Sequence, residues 1–208
     1  MEYTENAAVG CVIMASGRAV RFGSNKLLAD FGSAPLIARA LDVTETPALA
    51  ARVVVTRSPE VAELACKAGV KTILHSLPGR NDTVRLGLEA LLSELPGLAG
   101  CIFLPGDQPL LRKESLRAMA RDFSALDEKE RAILRLGFRA EDGTERLGSP
   151  VLFGSRYFGA LCSLPEGKGG GVVIRRHPES VQAGYAARQE ELEDADTVEE
   201  LERLRKLL

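Results

Sequence analysis

Residues 8–15 are almost continuously apolar, and the run breaks at Ser16-Gly17 into a loop that carries Arg21 and Lys26. A strand covered on both faces, as in a parallel sheet, reads as an unbroken apolar run, whereas a half-exposed strand alternates. Residues 27–32 return to an extended pattern, and Pro35 opens a helix over 35–44. The β-branched stretch 52–56 predicts a second strand. Pro59 starts a helix ended by Gly69, and 70–75 form a third, short strand. Turn chemistry occupies 76–82. From residue 83, Val84, Leu88, Leu91, Leu92 and Leu95 recur at helical spacing as far as Pro96. Residues 100–104 are again continuously apolar and end abruptly in Pro105-Gly106-Asp107-Gln108-Pro109.

The alternation loosens in the second half. Residues 115–123 predict a helix and 132–138 a strand. Glu141-Asp142-Gly143-Thr144 is a turn that closes a hairpin onto 149–153. A helix over 157–164, a glycine-rich loop over 166–171, a short element over 172–177 and a last strand over 181–187 follow. Residues 197–208 form an amphipathic helix with acids first and bases last, as the helix dipole favours. Strands separated by helices imply an α/β fold, a Rossmann-like, doubly wound, mostly parallel sheet whose ligands bind beyond the carboxyl ends of the strands. Both the loop after the first strand and the Asp107 tip lie there. The stretch from Phe138 to Phe153 is expected to be a small β elaboration that meets a second substrate.

At 208 residues the chain fits a single domain spanning 1–208, with 45% hydrophobic residues to build its core. A formal charge of −2 with no basic, aromatic-rich stretch argues against nucleic acid as a partner, so any phosphate binding is local. The four cysteines are dispersed and the two histidines complete no ligand spacing, which argues against zinc; Cys11 and Cys101 read as core. There is no run of roughly 18 apolar residues to span a membrane, and residues 1–6 do not look like a secretion signal. The expected location is the cytoplasm.

Backbone amides released by a glycine-bounded turn point at phosphate oxygens, and Arg21 and Lys26 add charge where a polyphosphate would lie. The loop is not a Walker A, because Lys26 stands three residues after Gly23, and it contains no G-x-G-x-x-G. A carboxylate such as Asp107 at the end of a buried strand is costly unless solvated or bound to a cation. Together, Ala15-Ser16-Gly17, Arg21-Phe22-Gly23, Lys26 and the continuation 27–37 resemble the opening of the MobA-like nucleotidyltransferases. Gly106-Asp107-Gln108-Pro109 resembles that family's G-D-x-P, and Asp194-Ala195-Asp196-Thr197 resembles its C-terminal (N/D)-x-(N/D)-T.

The resemblance implies the nucleotide-diphospho-sugar transferase type of fold. It also implies a Mg2+-dependent enzyme in which Arg21, Lys26 and Asp107 are catalytic and Asp107 with Asp194 holds the metal. Asp196 or Thr197 could equally cap the last helix. The small-small-Gly form of Ala15-Ser16-Gly17 is similar to the cytidylyl branch, so CTP is the expected nucleotide, bound by Ala15, Ser16, Gly17 and Lys26. Gly79 to Val84 resembles a cytidine-binding stretch of the methylerythritol-phosphate enzymes, which adds Gly79 and Thr83. The implied acceptor is phosphorylated, with molybdopterin favoured and a molybdenum enzyme as a possible recipient of the product. Gly148-Ser149-Pro150 has Ser where molybdopterin cytidylyltransferases have His, and Gly167-Lys168-Gly169-Gly170-Gly171 ends without their Arg. A methylerythritol-phosphate or sugar-phosphate cytidylyltransferase and a non-catalytic nucleotide-binding accessory protein are the alternatives.

Overall fold

The structure, a computed structural model, describes residues 7–17, 22 and 25–208. Its strands are β1 (Val9–Ala15), β2 (Ala51–Thr56), β3 (Lys71–Leu74), β4 (Gly100–Pro105), β5 (Ile133–Arg139), β6 (Glu145–Gly154) and β7 (Val181–Tyr185). The helices are α1 (Ile37–Val43), α2 (Pro59–Lys67), α3 (Arg80–Glu94), α4 (Lys113–Ser124), α5 (Phe158–Cys162), α6 (Gly171–Arg176) and α7 (Val198–Arg205). Among the described residues these seven strands join one sheet in the order β3-β2-β1-β4-β6-β5-β7, with β6 antiparallel to both of its neighbours.

Alternate residues of the central strands feed two cores. Cys11, Ile13, Ile102 and Leu104 face a layer made with α1, α2, α4 and α7. Val12, Val53, Val55, Cys101 and Phe103 face a layer made with α3, α5 and α6. Burial on both sides explains why β1 and β4 are unbroken apolar runs. The chain runs outward from β1 to β2 and β3, then returns to place β4 on the other side of β1. This reversal opens a crevice at the carboxyl ends of β1 and β4, where α/β sheets bind ligands. Gly106 lets the end of β4 close on β1: its amide donates to Met14 O at 3.0 Å, and a Cβ there would stand 3.2 Å from that same oxygen.

Several local expectations change. Residues 27–32 are not extended; Lys26–Leu28 is a 3₁₀ turn, followed by an isolated bridge between Asp30 and Pro35. Asn25 Oδ1 accepts from Leu27 N at 3.2 Å, and the Leu27 side chain buries in the core, which fixes the turn that presents Lys26. Helix α3 starts at Arg80, because Asp82 Oδ2 accepts from Gly79 N at 3.0 Å and draws the polar residues into its first turn. The β6 strand begins at Glu145, four residues before the apolar stretch, and lies between β4 and β5 within the main sheet. The hairpin's outer part, beyond a bulge between Arg135 and Gly137, is the β elaboration. Thr197 caps α7, accepting from Glu200 N at 3.1 Å.

Candidate active site

The crevice is a cavity of about 830 Å3 that runs from β1 and the start of α3 across the tip of β4 to β5, β6 and α6. Among the described residues six cations line it: Lys26, Arg57, Arg80, Arg135, Lys168 and Arg175. Three carboxylates oppose them: Asp107, Asp194 and Asp196. In a chain of net charge −2 this local excess favours an anionic ligand.

The carboxylates gather around Lys26. Its ammonium lies 2.5 Å from Asp107 Oδ2 and 2.7 Å from Asp196 Oδ1, with the lysine side chain only 12% exposed. Burial works against the ammonium, but Asp107 and then Asp196 outweigh it, so its pKa stands above the ordinary value. Among the described residues Asp194 has no such partner. Loss of solvation, and then the like charges of Asp107 and Asp196, push its pKa up to about 6 against the pull of Lys26 and Arg80.

The C-terminal segment carrying these acids is held from both sides. Ala195 N donates to Asp107 O at 2.9 Å, tying it to the tip of β4. Just upstream, Glu191 is 1% exposed: its Oε2 accepts from Ser115 Oγ at 2.5 Å and from Arg112 N at 3.1 Å at the start of α4, and its Oε1 accepts from Arg188 N at 3.3 Å. Gln108, also buried, donates from Nε2 to Ser149 O at 3.1 Å and so ties the Asp107 tip to β6.

On the β1 side, Ser16 and Gly17 line the cavity, as do Gly79 and Thr83 from the entry of α3. Ala15 is buried at the end of β1, where its carbonyl accepts from Thr56 Oγ1 at 3.0 Å. The Ser16 hydroxyl donates to Val55 O at 3.0 Å and lies 2.8 Å from His75 Nε2. With its proton committed to Val55, the hydroxyl accepts from Nε2–H, and burial followed by the charge of Arg57 lowers the His75 pKa. Arg57 donates to Ser16 O. The glycine-rich loop joins α3 through Gly167 N, which donates to Asn81 Oδ1 at 2.8 Å. Arg21 lies outside the described residues.

The structure thus brings Lys26, Asp107, Asp194, Ser16, Gly17, Gly79 and Thr83 to one cavity. Sequence reasoning missed Glu191, Gln108, His75 and Arg135. A lone Arg at 135 inside an otherwise apolar strand was a readable signal. Glu191, one acid among several at 189–193, carried none.

The MobA-like NTP transferase domain model matches residues 11–181. Rv0371c from Mycobacterium tuberculosis H37Rv superimposes with a TM-score of 0.76 at 22% identity, covering 96% of this chain and 98% of that one. The manganese complex of Rv0371c superimposes at 0.69 with 20% identity, covering 97% and 100%. CMP:2-keto-3-deoxy-manno-octonic acid synthetase complexed with CTP gives 0.77 at 15% identity over 97% and 98% of the two chains. The 4-diphosphocytidyl-2C-methyl-D-erythritol synthase of Anaerococcus prevotii gives 0.72 at 13% identity over 100% and 99%. At these identities the structures establish a shared fold. With the family model spanning most of the sequence, the chain belongs to the MobA-like NTP transferase family.

Proposed function

We propose that this nucleotidyltransferase moves CMP from CTP onto a phosphorylated acceptor, with molybdopterin the favoured acceptor, and releases pyrophosphate. The observation that carries the reading is the meeting of Lys26, Asp107 and Asp194 at the β1–β4 switch point of a cation-lined cavity. In the reaction an acceptor phosphate oxygen attacks the α-phosphorus in line, and the bond from that phosphorus to the bridging oxygen of the β-phosphate breaks. The leaving pyrophosphate takes the electron pair. The attacking phosphate is already anionic at neutral pH, so the protein's work is positioning and charge neutralisation. Lys26, with Arg21 beside it in sequence, offsets the triphosphate charge. Ser16, Gly17, Gly79 and Thr83 form the wall against which the nucleoside rests, with Ala15 behind it.

The oxygen donors Asp107 and Asp194 fit Mg2+, which takes one or two carboxylates and completes its shell with phosphate and water. The Lys26 ammonium already serves as counter-cation to Asp107 and Asp196, while burial and then the like charges of those two acids raise the pKa of Asp194, a carboxylate that a bound cation would relieve. Bound there, Mg2+ would supply positive charge to the oxygens of the reacting phosphates. The manganese complex of Rv0371c supports a divalent cation in a relative of this fold.

The acceptor's place is the β6 and α6 side, where Ser149 and Gly171 stand. A methylerythritol-phosphate or sugar-phosphate acceptor is the second reading, favoured by Gly79 and Thr83 lining the cavity and by the side-chain changes at 149 and 171. The test is pyrophosphate release from each of four nucleoside triphosphates with molybdopterin, methylerythritol phosphate and simple sugar phosphates. Turnover with CTP and molybdopterin supports the first reading. Turnover with CTP and another phosphate supports the second, and saturable binding without release in any combination contradicts both.

A further inference from the structure

Arg135 sits on β5 directly across from Val151 of β6, facing the layer of α5 and α6, and lines the far end of the cavity with Val151, Phe153 and Val172. Its Nη2 donates to Leu147 O at 3.0 Å. Its Nε is buried with no hydrogen-bond partner, and among the described residues no carboxylate pairs with it. Arg80 and Arg175 in the same cavity are exposed to solvent. A guanidinium carries five donors and keeps its charge at every accessible pH. Arg135 is half-buried, and its Nε, closed off from solvent with no acceptor among the described residues, is costly to leave unpaired.

The position adds a second constraint. One strand, β6, separates β5 from β4, and β4 leads to Asp107. Two strand spacings are about 10 Å, so a group at Arg135 lies well apart from a phosphate at Asp107. Phe103, Val151 and Arg135 are level across the three strands, so the lining from Arg135 toward Asp107 is Val151 and then Ser149 on β6.

Resting on the reading of this cavity as a nucleotidyl-transfer site, we propose that Arg135 is an acceptor-specificity residue. It binds a second anionic group, a carboxylate or phosphate, on an acceptor whose reacting phosphate lies at Asp107 and whose middle crosses Ser149 and Val151. The substrate class is therefore an acceptor charged at both ends, which a simple monophosphorylated polyol does not satisfy.

The test uses the full chain and two probes, inorganic phosphate and acetate, titrated by thermal shift with saturating CTP present, so that the nucleotide side is filled. Wild type is expected to show a saturable shift with at least one probe, the responding probe identifying the anion class. Arg135→Met is expected to weaken that midpoint at least tenfold while leaving the CTP shift unchanged. Without ligand, Arg135→Met is expected to melt no lower than wild type, because it removes an unpaired cation. A probe shift that survives in Arg135→Met overturns the assignment. So does a ligand-free Arg135→Met that melts several degrees low, because Arg135 would then be holding Leu147 for the fold. The probes are also titrated without CTP, so absence of any CTP shift would refute the nucleotide reading while the Arg135 comparison still returns its own answer.

Discussion

Glu191→Ala perturbs the segment on which Asp194 and Asp196 ride without touching any cavity-lining residue. The carboxylate is 1% exposed and accepts three hydrogen bonds, from Ser115 Oγ, Arg112 N and Arg188 N. Bonds to a charged group contribute about 1.5–3 kcal/mol each, but they share one carboxylate and do not add, and its own desolvation offsets part of the gain. Truncation leaves the nearly buried Ser115 hydroxyl and the first amide before α4 unpaired, for a net loss of about 3 kcal/mol. For a chain of this size that corresponds to roughly 6–12 °C in melting temperature. Urea unfolding of both proteins measures the loss. Hydrogen exchange at the Ala195 amide, bonded to Asp107 O, shows whether it spreads to the site. The expected result is faster Ala195 exchange and slower turnover with CTP affinity little changed. A stability loss below about 1 kcal/mol together with unchanged Ala195 protection would refute the claim that Glu191 positions the acids.

Asp194 carries a pH signature. Its pKa is raised from 3.8 to about 6, so the folded chain holds this proton more tightly than the unfolded chain, and the group destabilises the fold increasingly as pH rises through that window. Asp194→Asn should therefore melt higher than wild type at pH 7 and show no advantage at pH 3.5; a constant difference across the range would contradict the shift. Gly87→Ala in α3 should destabilise by about 1–2 kcal/mol in denaturant titration, since overpacking outweighs the gain in helix propensity. Its new Cβ would stand 2.5 Å from Val12 Cγ1 and 3.0 Å from Val55 Cγ2. Gly159→Ala in α5, with nothing within 4 Å, should leave stability equal or higher.

The parts of the fold that could be read from the residues are those whose signal is local. Val9–Ala15 and Gly100–Pro105 are buried on both faces, so their composition alone marks them as central strands, and Lys26 and Asp107 follow at their ends. Pro59 and Gly69 bracket α2 for reasons that lie within its own turns. What escaped depends on distant partners. The first half of β6 is polar because it overhangs the core, and nothing in Glu145–Leu147 announces that the strand will insert between β4 and β5. The 3₁₀ turn at Lys26 follows from the Asn25 cap and the burial of Leu27, which an apolar pattern reads as extended. In the site, Asp196 was legible only as a capping residue. Its contact with Lys26, 170 positions away, exists because Ala195 is bonded to Asp107.

The central claim is that Asp107 and Lys26 perform nucleotidyl transfer rather than merely hold each other. Its most direct test is pyrophosphate release from CTP by Asp107→Asn, against wild type, with the acceptor that wild type uses. Asparagine keeps the shape of the β4 tip and removes the charge. Loss of a contact made in the transition state is worth about 3 kcal/mol, so release should fall by about a hundredfold or more while the melting temperature stays close to wild type. Release within threefold of wild type would contradict the account.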